Sequence, residues 1–292
     1  MRLRHIEIFH AIYTTGSITN AAKILHVSQP SVSKVLSHAE MQLGFKLFER
    51  VKGRLIPTSE AQMLFGEVDK IYQQMRSIKN TAENIKKTDF GNISIGVTPA
   101  LGFDVIPRAI AEYQAKHPQV NFDVQTVHND AVTQALFEHK CDFAMLFSPS
   151  KIAGISCTSF AESEMVVMYP KSLFPDSPKS MTLTDLAEYQ FIDIGDSGPL
   201  GDLLWTRMME ENVQLQSHIK VQTYFIAARM VAEGAGLCVV DKYTAQGNLS
   251  DNIAYASFSP KLTFNVGVMH LESRGLSRVA EDFLAHMTRK VI

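Results

Sequence analysis

The chain has 292 residues, of which 46% are hydrophobic and 20% charged, a composition typical of globular domains rather than disordered chains. Its three cysteines exclude a disulfide scaffold and indicate a reducing compartment, and no apolar run approaches the 18 or so residues of a membrane span. The net charge of −2 is unevenly spread, because residues 1–87 carry 13 Lys/Arg against 7 Asp/Glu, a net of +6, which leaves −8 for residues 88–292. This asymmetry predicts that the N-terminal part binds a polyanion such as nucleic acid.

Three short helices are predicted in the basic N-terminal part. Apolar residues recur at helical spacing over residues 3–13, Ser17 is a suitable N-cap for a second helix over 18–25, and Ser28 caps a third helix that runs to about residue 43. Pro30 suits an early position in that third helix. Two short helices joined by a tight turn predict a helix-turn-helix, whose second helix enters the major groove of DNA.

The outward face of the third predicted helix carries small hydrogen-bonding side chains and a cation. We expect Gln29 and Ser33 to contact bases and Ser31, Lys34 and Thr19 to contact phosphates, the alternative being a merely solvated polar face. Residues 47–57 predict a hairpin wing whose cations lie beside this helix. The predicted DNA-binding residues are Thr19, Ser28, Gln29, Pro30, Ser31, Ser33, Lys34, Arg50, Lys52 and Arg54.

A long helix is predicted from Ser59 to Lys87, with Thr58 as its cap, and it would span about 43 Å. Its apolar residues are spaced alternately four and three apart, a heptad seam typical of a helix that pairs with a second copy. The alternative is a helix packed on its own domain. The predicted dimerisation residues are Leu64, Val68, Ile71, Met75, Ile78 and Ile85.

From Gly91 onward, short strand-like runs such as NISIGV, VNFDVQTV and CDFAMLF alternate with helical runs. This alternation is typical of βαβ units and a parallel sheet. The fold class predicted from the residues is therefore α/β with an all-α N-terminal head.

Four segments of the head carry a family pattern: RHIEIFH at 4–10, GSITNAA at 16–22, VSQPSVS at 27–33 and LGFKLFER at 43–50. Through them the chain resembles LysR-type transcriptional regulators, in particular the lysine-biosynthesis and opine-catabolism branch, which responds to amino acids or their derivatives. The resemblance implies a winged helix-turn-helix at 1–58, a linker and dimerisation helix at 59–87 and an effector-binding domain at 88–292. It implies double-stranded promoter DNA, a small-molecule effector and a homodimer or homotetramer.

The family layout further implies a two-lobed, periplasmic-binding-protein-like effector domain. Lobe I is expected at about 88–162 and 266–292 and lobe II at about 163–265. The chain is expected to cross between them near Phe160–Glu164 and Thr263–Val268. Such a hinge permits closure on a ligand.

The effector site is expected where the first strand, 91–97, ends, because open α/β sheets bind ligands at the carboxyl ends of their strands. A carboxylate is expected on the Thr98 hydroxyl and the amides of Ala100 and Leu101, ahead of a helix beginning near Asp104; a plain turn capped by Thr98 is the alternative. Acidic side chains are expected to hold an amine, unless they are caps or surface charges. The predicted effector-binding residues are Thr98, Pro99, Ala100, Leu101, Phe147, Asp196, Ser197, Gly198, Thr223, Phe225 and Asp241, of which Thr223 and the end of the 239–241 strand rest on the resemblance.

Three other functional classes are alternatives to this interpretation. An enzyme is not expected, because the ten histidines show no metalloprotease spacing and the chain has no Gly-x-Ser-x-Gly or phosphate-loop motif; no cofactor or metal is expected either. A solute-binding protein needs an export signal, whereas the N-terminus shows none, which predicts a cytoplasmic location with no membrane partner. A redox sensor using Cys141, Cys157 and Cys238 stays as an alternative, although their spacing does not resemble the peroxide-sensing branch.

Overall fold

The described residues are 1–51, 53–86, 91–194 and 198–290 of a computed structural model. They form two units, Met1–Asn80 and Thr81–Ile292. Among the described residues, no helix is both long enough and apolar enough to cross a membrane.

The first unit contains three helices, a hairpin and most of a long fourth helix. These elements are α1 (Leu3–Thr15), α2 (Ile18–Ile24), α3 (Gln29–Leu43), β1 (Phe48–Val51), β2 (Arg54–Pro57) and α4 (Ser59–Lys86). The predicted caps are formed, since the hydroxyls of Ser17 and Ser28 accept the amides of Asn20 and Ser31. Gly16 and Gly44 end α1 and α3 at φ 63° and 79°, a backbone region that glycine enters without steric cost.

The core of this unit joins the helix-turn-helix to the hairpin. Phe9 of α1 and Val32 of α3 are fully buried and share one apolar cluster with Phe48 of β1. Glu40 of α3 is buried as well, and its carboxylate accepts the amides of Leu47 and Phe48 at 2.9 and 3.3 Å. Those hydrogen bonds fix the wing relative to α3.

The first turns of α4 pack on the same unit. Tyr13 stacks on Phe65 and His10 on Tyr72, each with ring centroids 3.8 Å apart, and His10 Nε2 lies 3.0 Å from the carboxylate of Asp69. These contacts hold α4 against α1.

This packing corrects part of the predicted dimerisation seam. Val68 is only 2% exposed in the core of its own unit and is not available to a second copy, whereas Leu64 is half-buried against that core. Ile71 and Ile78 are 39% and 71% exposed and Met75 is half-buried. The side chain of Ile85 lies outside the described residues.

The second unit alternates strands and helices. In chain order these are β3 (Gly91–Val97), α5 (Pro99–Phe103), α6 (Val105–Gln114), β4 (Val120–Thr126), α7 (Val132–Phe137), β5 (Phe143–Phe147), β6 (Ile155–Pro170), β7 (Ser180–Met181), α8 (Leu183–Leu186), β8 (Phe191–Ile194), α9 (Pro199–Glu210), β9 (Ser217–Val221), α10 (Tyr224–Ala232), β10 (Cys238–Asp241), α11 (Lys242–Gly247), β11 (Ile253–Leu271) and α12 (Arg278–Lys290).

The main sheet has the order β10-β6-β11-β5-β3-β4, with β7 beside β11, and β8 pairs with β9 separately. The prediction of a parallel sheet is correct for β3 with β4 and β5 and for β8 with β9, but β11 runs antiparallel to both β5 and β6. The reason is that β6 and β11 are long strands that pass one another in opposite directions through the two expected crossings. The pairing of β11 with β6 shifts between Val266 and Gly267, inside the second crossing.

One local prediction after β3 is wrong. Residues 98–102 were expected to form a loop before a helix starting near Asp104, whereas Pro99–Phe103 already form the helix α5. Pro99 occupies the first helical position, where its missing N–H costs nothing, and Ala100 and Leu101 are 3% and 0% exposed in the core. Burial of these two side chains stabilises a helix that is too short to be predicted from the periodicity of its apolar residues.

Candidate nucleic-acid interface and effector site

The first turns of α3 present the predicted polar face. Gln29, Pro30, Ser31 and Lys34 are exposed and Ser33 is half-buried. On the opposite side of the helix Val32 and Leu36 are 0% and 8% exposed, so the helix is anchored by one face. Thr19 is exposed on α2, and the hydroxyl of Ser28 is occupied in capping, 2.8 Å from the hydroxyl of Ser31.

The wing adds exposed cations to the same unit. Arg50 on β1 and Arg54 on β2 are exposed, and the register pairs Arg50 with Leu55 and Val51 with Arg54. Among the described residues, neither arginine nor Lys34 of α3 forms an ion pair, so all three charges are open to an anionic partner. Lys52, also predicted for this surface, lies outside the described residues.

A contact between a histidine of α3 and a histidine of α1 was not predicted from the sequence. His38 of α3 is exposed, and its Nδ1 lies 3.3 Å from Nε2 of His5, which is 6% exposed on α1. Burial, followed by the charge of His38, lowers the pKa of His5. The only sequence signal was a histidine among the apolar positions of α1, a pattern that does not identify its partner.

At the effector end of the second unit, two predicted threonines share an unusual feature. Thr98 follows β3 and Thr223 precedes α10, both at N-cap positions, yet neither side chain forms a capping hydrogen bond. Among the described residues, Oγ1 of each is buried without a hydrogen-bond partner. An unsatisfied buried hydroxyl costs about 1–3 kcal/mol, so both atoms are suited to receive a polar ligand.

An aromatic contact adjoins the end of β5. Phe147, the last residue of β5, is 4% exposed, and its ring is parallel to that of Tyr243 on α11, with centroids 6.3 Å apart. Helix α11 also approaches the segment after β3, since a Cβ on Gly247 would lie 3.1 Å from Cβ of Asp104. The carboxyl ends of β3 and β5 therefore face α11.

The other predicted effector residues are dispersed. The side chains of Ala100 and Leu101 belong to the core and leave only their amides for a ligand, while Pro99 is half-buried. Gly198 is exposed at the N-cap of α9 with φ 59°, and Phe225 is 52% exposed on α10. Asp196 and Ser197 lie outside the described residues.

The interpretation of Asp241 as a ligand for an amine is wrong in this structure. Asp241 is 0% exposed, and its carboxylate accepts the amide and the hydroxyl of Thr244 at 2.9 and 2.6 Å as the N-cap of α11. Burial raises the pKa of this carboxyl to about 6. The alternative interpretation, a strand-ending aspartate that caps the next helix, is the correct one.

Sequence reasoning also missed an ion-pair cluster within the first crossing. The buried carboxylate of Glu164 lies 3.0 Å from Nζ of Lys242 and 3.3 Å from Nζ of Lys261. Burial alone would raise the pKa of Glu164, but the hydrogen bonds and charges of the two lysines bring it below its ordinary value. Two ammonium groups against one carboxylate leave one positive charge in excess. The available signal was a glutamate at the head of the apolar run MVVMYP.

Family models match both units of the chain. Residues 3–62 match the bacterial regulatory helix-turn-helix protein of the lysR family, and residues 86–291 match the LysR substrate binding domain. The chain belongs to the LysR family. It is a DNA-binding transcriptional regulator with an effector-binding domain, and both the resemblance and the predicted fold class are confirmed.

Relatives of this LysR-type regulator cover its whole length. It is 69% identical over 288 residues to the HTH-type transcriptional regulator DgcR of Pseudoalteromonas sp, covering 99% of each chain. The transcriptional activator protein LysR of Escherichia coli (strain K12) is 29% identical over 287 residues, 98% of this chain and 92% of that one. The crystal structure of CbnR, a LysR family transcriptional regulator, has the same fold, with a TM-score of 0.74 at 17% identity over 100% of both chains. These names are consistent with the prediction that the chain is not an enzyme.

The three cysteines of this LysR-type chain are free thiols. Cys141 and Cys238 are buried, and burial raises the pKa of each to about 12. Because the thiolate is the reactive form, neither of these two thiols is reactive towards oxidants near neutral pH. Cys157 is half-buried on β6. The geometry thus gives no support to the redox alternative.

Proposed function

We propose that this regulator binds double-stranded promoter DNA as a homodimer or homotetramer and is switched by an amino acid or related small carboxylate held between lobes I and II. The proposed domains are the winged helix-turn-helix at 1–58, the linker helix at 59–87 and the effector domain at 88–292, with the lobes at 88–162 and 266–292 and at 163–265. The regulator acts in the cytoplasm, without catalysis.

The observation that carries the effector proposal is that the buried hydroxyls of Thr98 and Thr223 have no hydrogen-bond partner among the described residues. A carboxylate accepts hydrogen bonds from hydroxyl donors, and hydrogen bonds to a charged group are worth about 1.5–3 kcal/mol each. The excess positive charge around Glu164, within the first crossing, further favours an anion. Both features suit a small molecule with a carboxylate.

A thermal-shift screen of the full-length protein against amino acids, diamino acids and small carboxylates tests the proposed carboxylate effector. A bound effector raises the melting temperature by mass action. Thr98→Val, which removes the hydroxyl at nearly constant volume, should weaken effector binding by about tenfold or more, since 1.4 kcal/mol corresponds to a factor of ten. Thr158→Val, at an exposed position of β6, is the matched control. Unchanged effector affinity in Thr98→Val would place the carboxylate elsewhere.

The DNA proposal is supported by the exposed polar face of α3 and by Lys34, Arg50 and Arg54, which form no ion pair with a described residue. Lys34→Ala and Arg50→Ala should each lower the slope of log affinity against log salt by about one, because each removes about one phosphate contact. Gln29→Ala and Ser33→Ala should instead reduce the preference for the target over random DNA. Fluorescence anisotropy at several salt concentrations measures both effects; equal losses on target and random DNA would contradict the base-contact assignment.

A further inference from the structure

A cavity of about 230 Å³ lies between α9 and the strands β8 and β9. Its walls are mostly apolar, with Phe191, Leu204, Met208 and Leu215 among them. It shares no residue with the predicted effector site, and all of its lining lies between Met165 and Val239, within lobe II as proposed above. Its lining therefore differs from the predicted effector residues, although Tyr224 directly follows Thr223 in the chain.

A carboxylate lies in the mostly apolar wall of this cavity, which also includes Ser217. On β8, Phe191, Asp193 and Ile194 line the cavity, whereas Ile192 is fully buried in the core beneath α10. Asp193 is half-buried, and its carboxylate forms no hydrogen bond or ion pair with any residue that the structure describes. The exposed Lys220 is its register partner on β9, yet the two do not form an ion pair. A half-buried carboxylate that forms no ion pair with a described residue is available to a cationic ligand.

Two aromatic side chains complete the lining. Trp205 of α9 is 63% exposed although it lines the cavity, and Tyr224, at the start of α10, lines it as well. Ring faces of tryptophan and tyrosine attract cations, and an exposed tryptophan loses solvent contact when a ligand covers it. An anionic group, aromatic rings and apolar walls together select a molecule that is cationic at one end and apolar at the other.

We propose that this cavity binds a small organic cation, an alkylammonium or arylalkylammonium whose nitrogen pairs with Asp193 and whose hydrocarbon part packs beneath α9. Ligand sites for drug-sized molecules have volumes of about 300–1,000 Å³, so this cavity suits a single ring or a short alkyl chain. The regulator would then bind two ligands of opposite charge, a carboxylate at Thr98 and an ammonium at Asp193.

Tryptophan fluorescence can report ligand binding at this cavity, because Trp205 is the one tryptophan of the chain. Full-length protein is titrated with phenethylammonium, with the neutral 2-phenylethanol and with the anionic 3-phenylpropionate, and tryptophan emission is recorded. A saturable change with the ammonium, at least tenfold tighter than with either analogue, supports the proposal. Equal responses to the three probes would show a merely apolar cavity and overturn it. Emission that changes on diluting the protein but not on adding ligand would indicate a second copy over Trp205, and would also overturn it.

Substitutions then assign the charge. Asp193→Asn should weaken phenethylammonium binding by about tenfold or more, whereas Asp202→Asn, at an exposed position of α9 outside the lining, should leave it unchanged. Lys220→Gln removes the competing cation and should keep or strengthen binding. Thr98→Val should have no effect, which separates this site from the proposed effector site. Unchanged phenethylammonium binding in a folded Asp193→Asn variant would refute the ion pair between the ligand and Asp193. If that variant does not fold, the preference of the wild-type protein for phenethylammonium over the two analogues tests the proposal.

Discussion

The contact between His5 and His38 joins the buried side of α1 to the exposed side of α3 through two imidazole rings. The backbone amide of Arg2 donates to Nδ1 of His5 at 3.3 Å, so the proton of the neutral His5 ring lies on Nε2, which faces His38. Protonating His5 adds an N–H at Nδ1, which opposes the Arg2 amide. The contact with Arg2 therefore favours the neutral form of His5.

This geometry predicts a pH dependence for the DNA-binding unit. The folded-state pKa of His5 is lowered, so the unfolded chain binds a proton first as the pH falls, and the stability from neutral His5 is present above about pH 6.5 and lost below it. We expect His5→Gln to flatten the fall in melting temperature between pH 7.5 and 5.5. His26→Asn is the control, since His26 is exposed at φ 52°, where asparagine is tolerated. Parallel curves for wild type and His5→Gln would contradict the prediction.

Asp241 predicts a pH effect of opposite sign in the effector domain. Its folded pKa of about 6 lies above the value of about 3.9 expected for the unfolded chain, so the folded state binds the extra proton. This group therefore adds stability as the pH falls from about 6 to 4 and costs stability above pH 6. The difference in melting temperature between wild type and Asp241→Asn should grow in favour of wild type from pH 7 to 5. A constant difference would show that burial does not shift this carboxyl.

The positions predicted for the effector-site residues agree with the structure better than their predicted roles do. Thr98, Thr223 and Asp241 all stand at the ends of strands or the starts of helices, as predicted. The direction of its oxygen decides whether such a side chain caps a helix or can bind a ligand. Asp241 accepts a hydrogen bond from Thr244, whereas the two threonine hydroxyls have no hydrogen-bond partner among the described residues. That difference arises from tertiary packing, which local sequence does not encode.

Helix α4 combines two apolar seams in one heptad pattern. Leu64 and Val68 pack on the first unit, whereas Ile71 and Ile78 are exposed. The heptad spacing predicted the helix correctly, because both kinds of contact require the same periodicity, and Thr58 as the cap predicted its start at Ser59. For that same reason it did not reveal where one seam ends and the other begins.

The two seams respond differently to substitution. Val68→Ala should lower the free energy of unfolding by about 2 kcal/mol through lost burial and leave the oligomer intact. Ile78→Asp places a charge on a surface that is 71% exposed, so it should leave the melting temperature of the first unit unchanged but weaken self-association. Analytical ultracentrifugation with thermal melts separates the effects. An Ile78→Asp protein that sediments like wild type would mean that this seam does not pair.

The whole molecule carries its charge in two opposed parts, +6 on residues 1–87 and −8 on residues 88–292. The basic part contains the exposed Lys34, Arg50 and Arg54, none of them in an ion pair with a described residue. In the acidic part Glu164 lies between two lysines and Asp241 is buried, whereas Asp193 forms no ion pair with a described residue. From the net charges we expect the acidic part to repel DNA and the basic part to bind it.

Separating the two parts tests this division of charge. Residues 1–87 alone should bind random double-stranded DNA at low salt, with an affinity that falls steeply as salt rises, because counterion release drives such binding. Residues 88–292 alone should not bind under the same conditions. The full chain should bind random DNA more weakly per head than the isolated head, since long-range repulsion from the acidic part acts at low ionic strength and is screened near 0.15 M, where the Debye length is about 8 Å. Anisotropy titrations from 20 to 200 mM salt, roughly the range over which this screening sets in, measure all three proteins. Equal DNA affinity of residues 1–87 and of the full chain at the lowest salt would show that the negative charge of residues 88–292 does not weaken DNA binding.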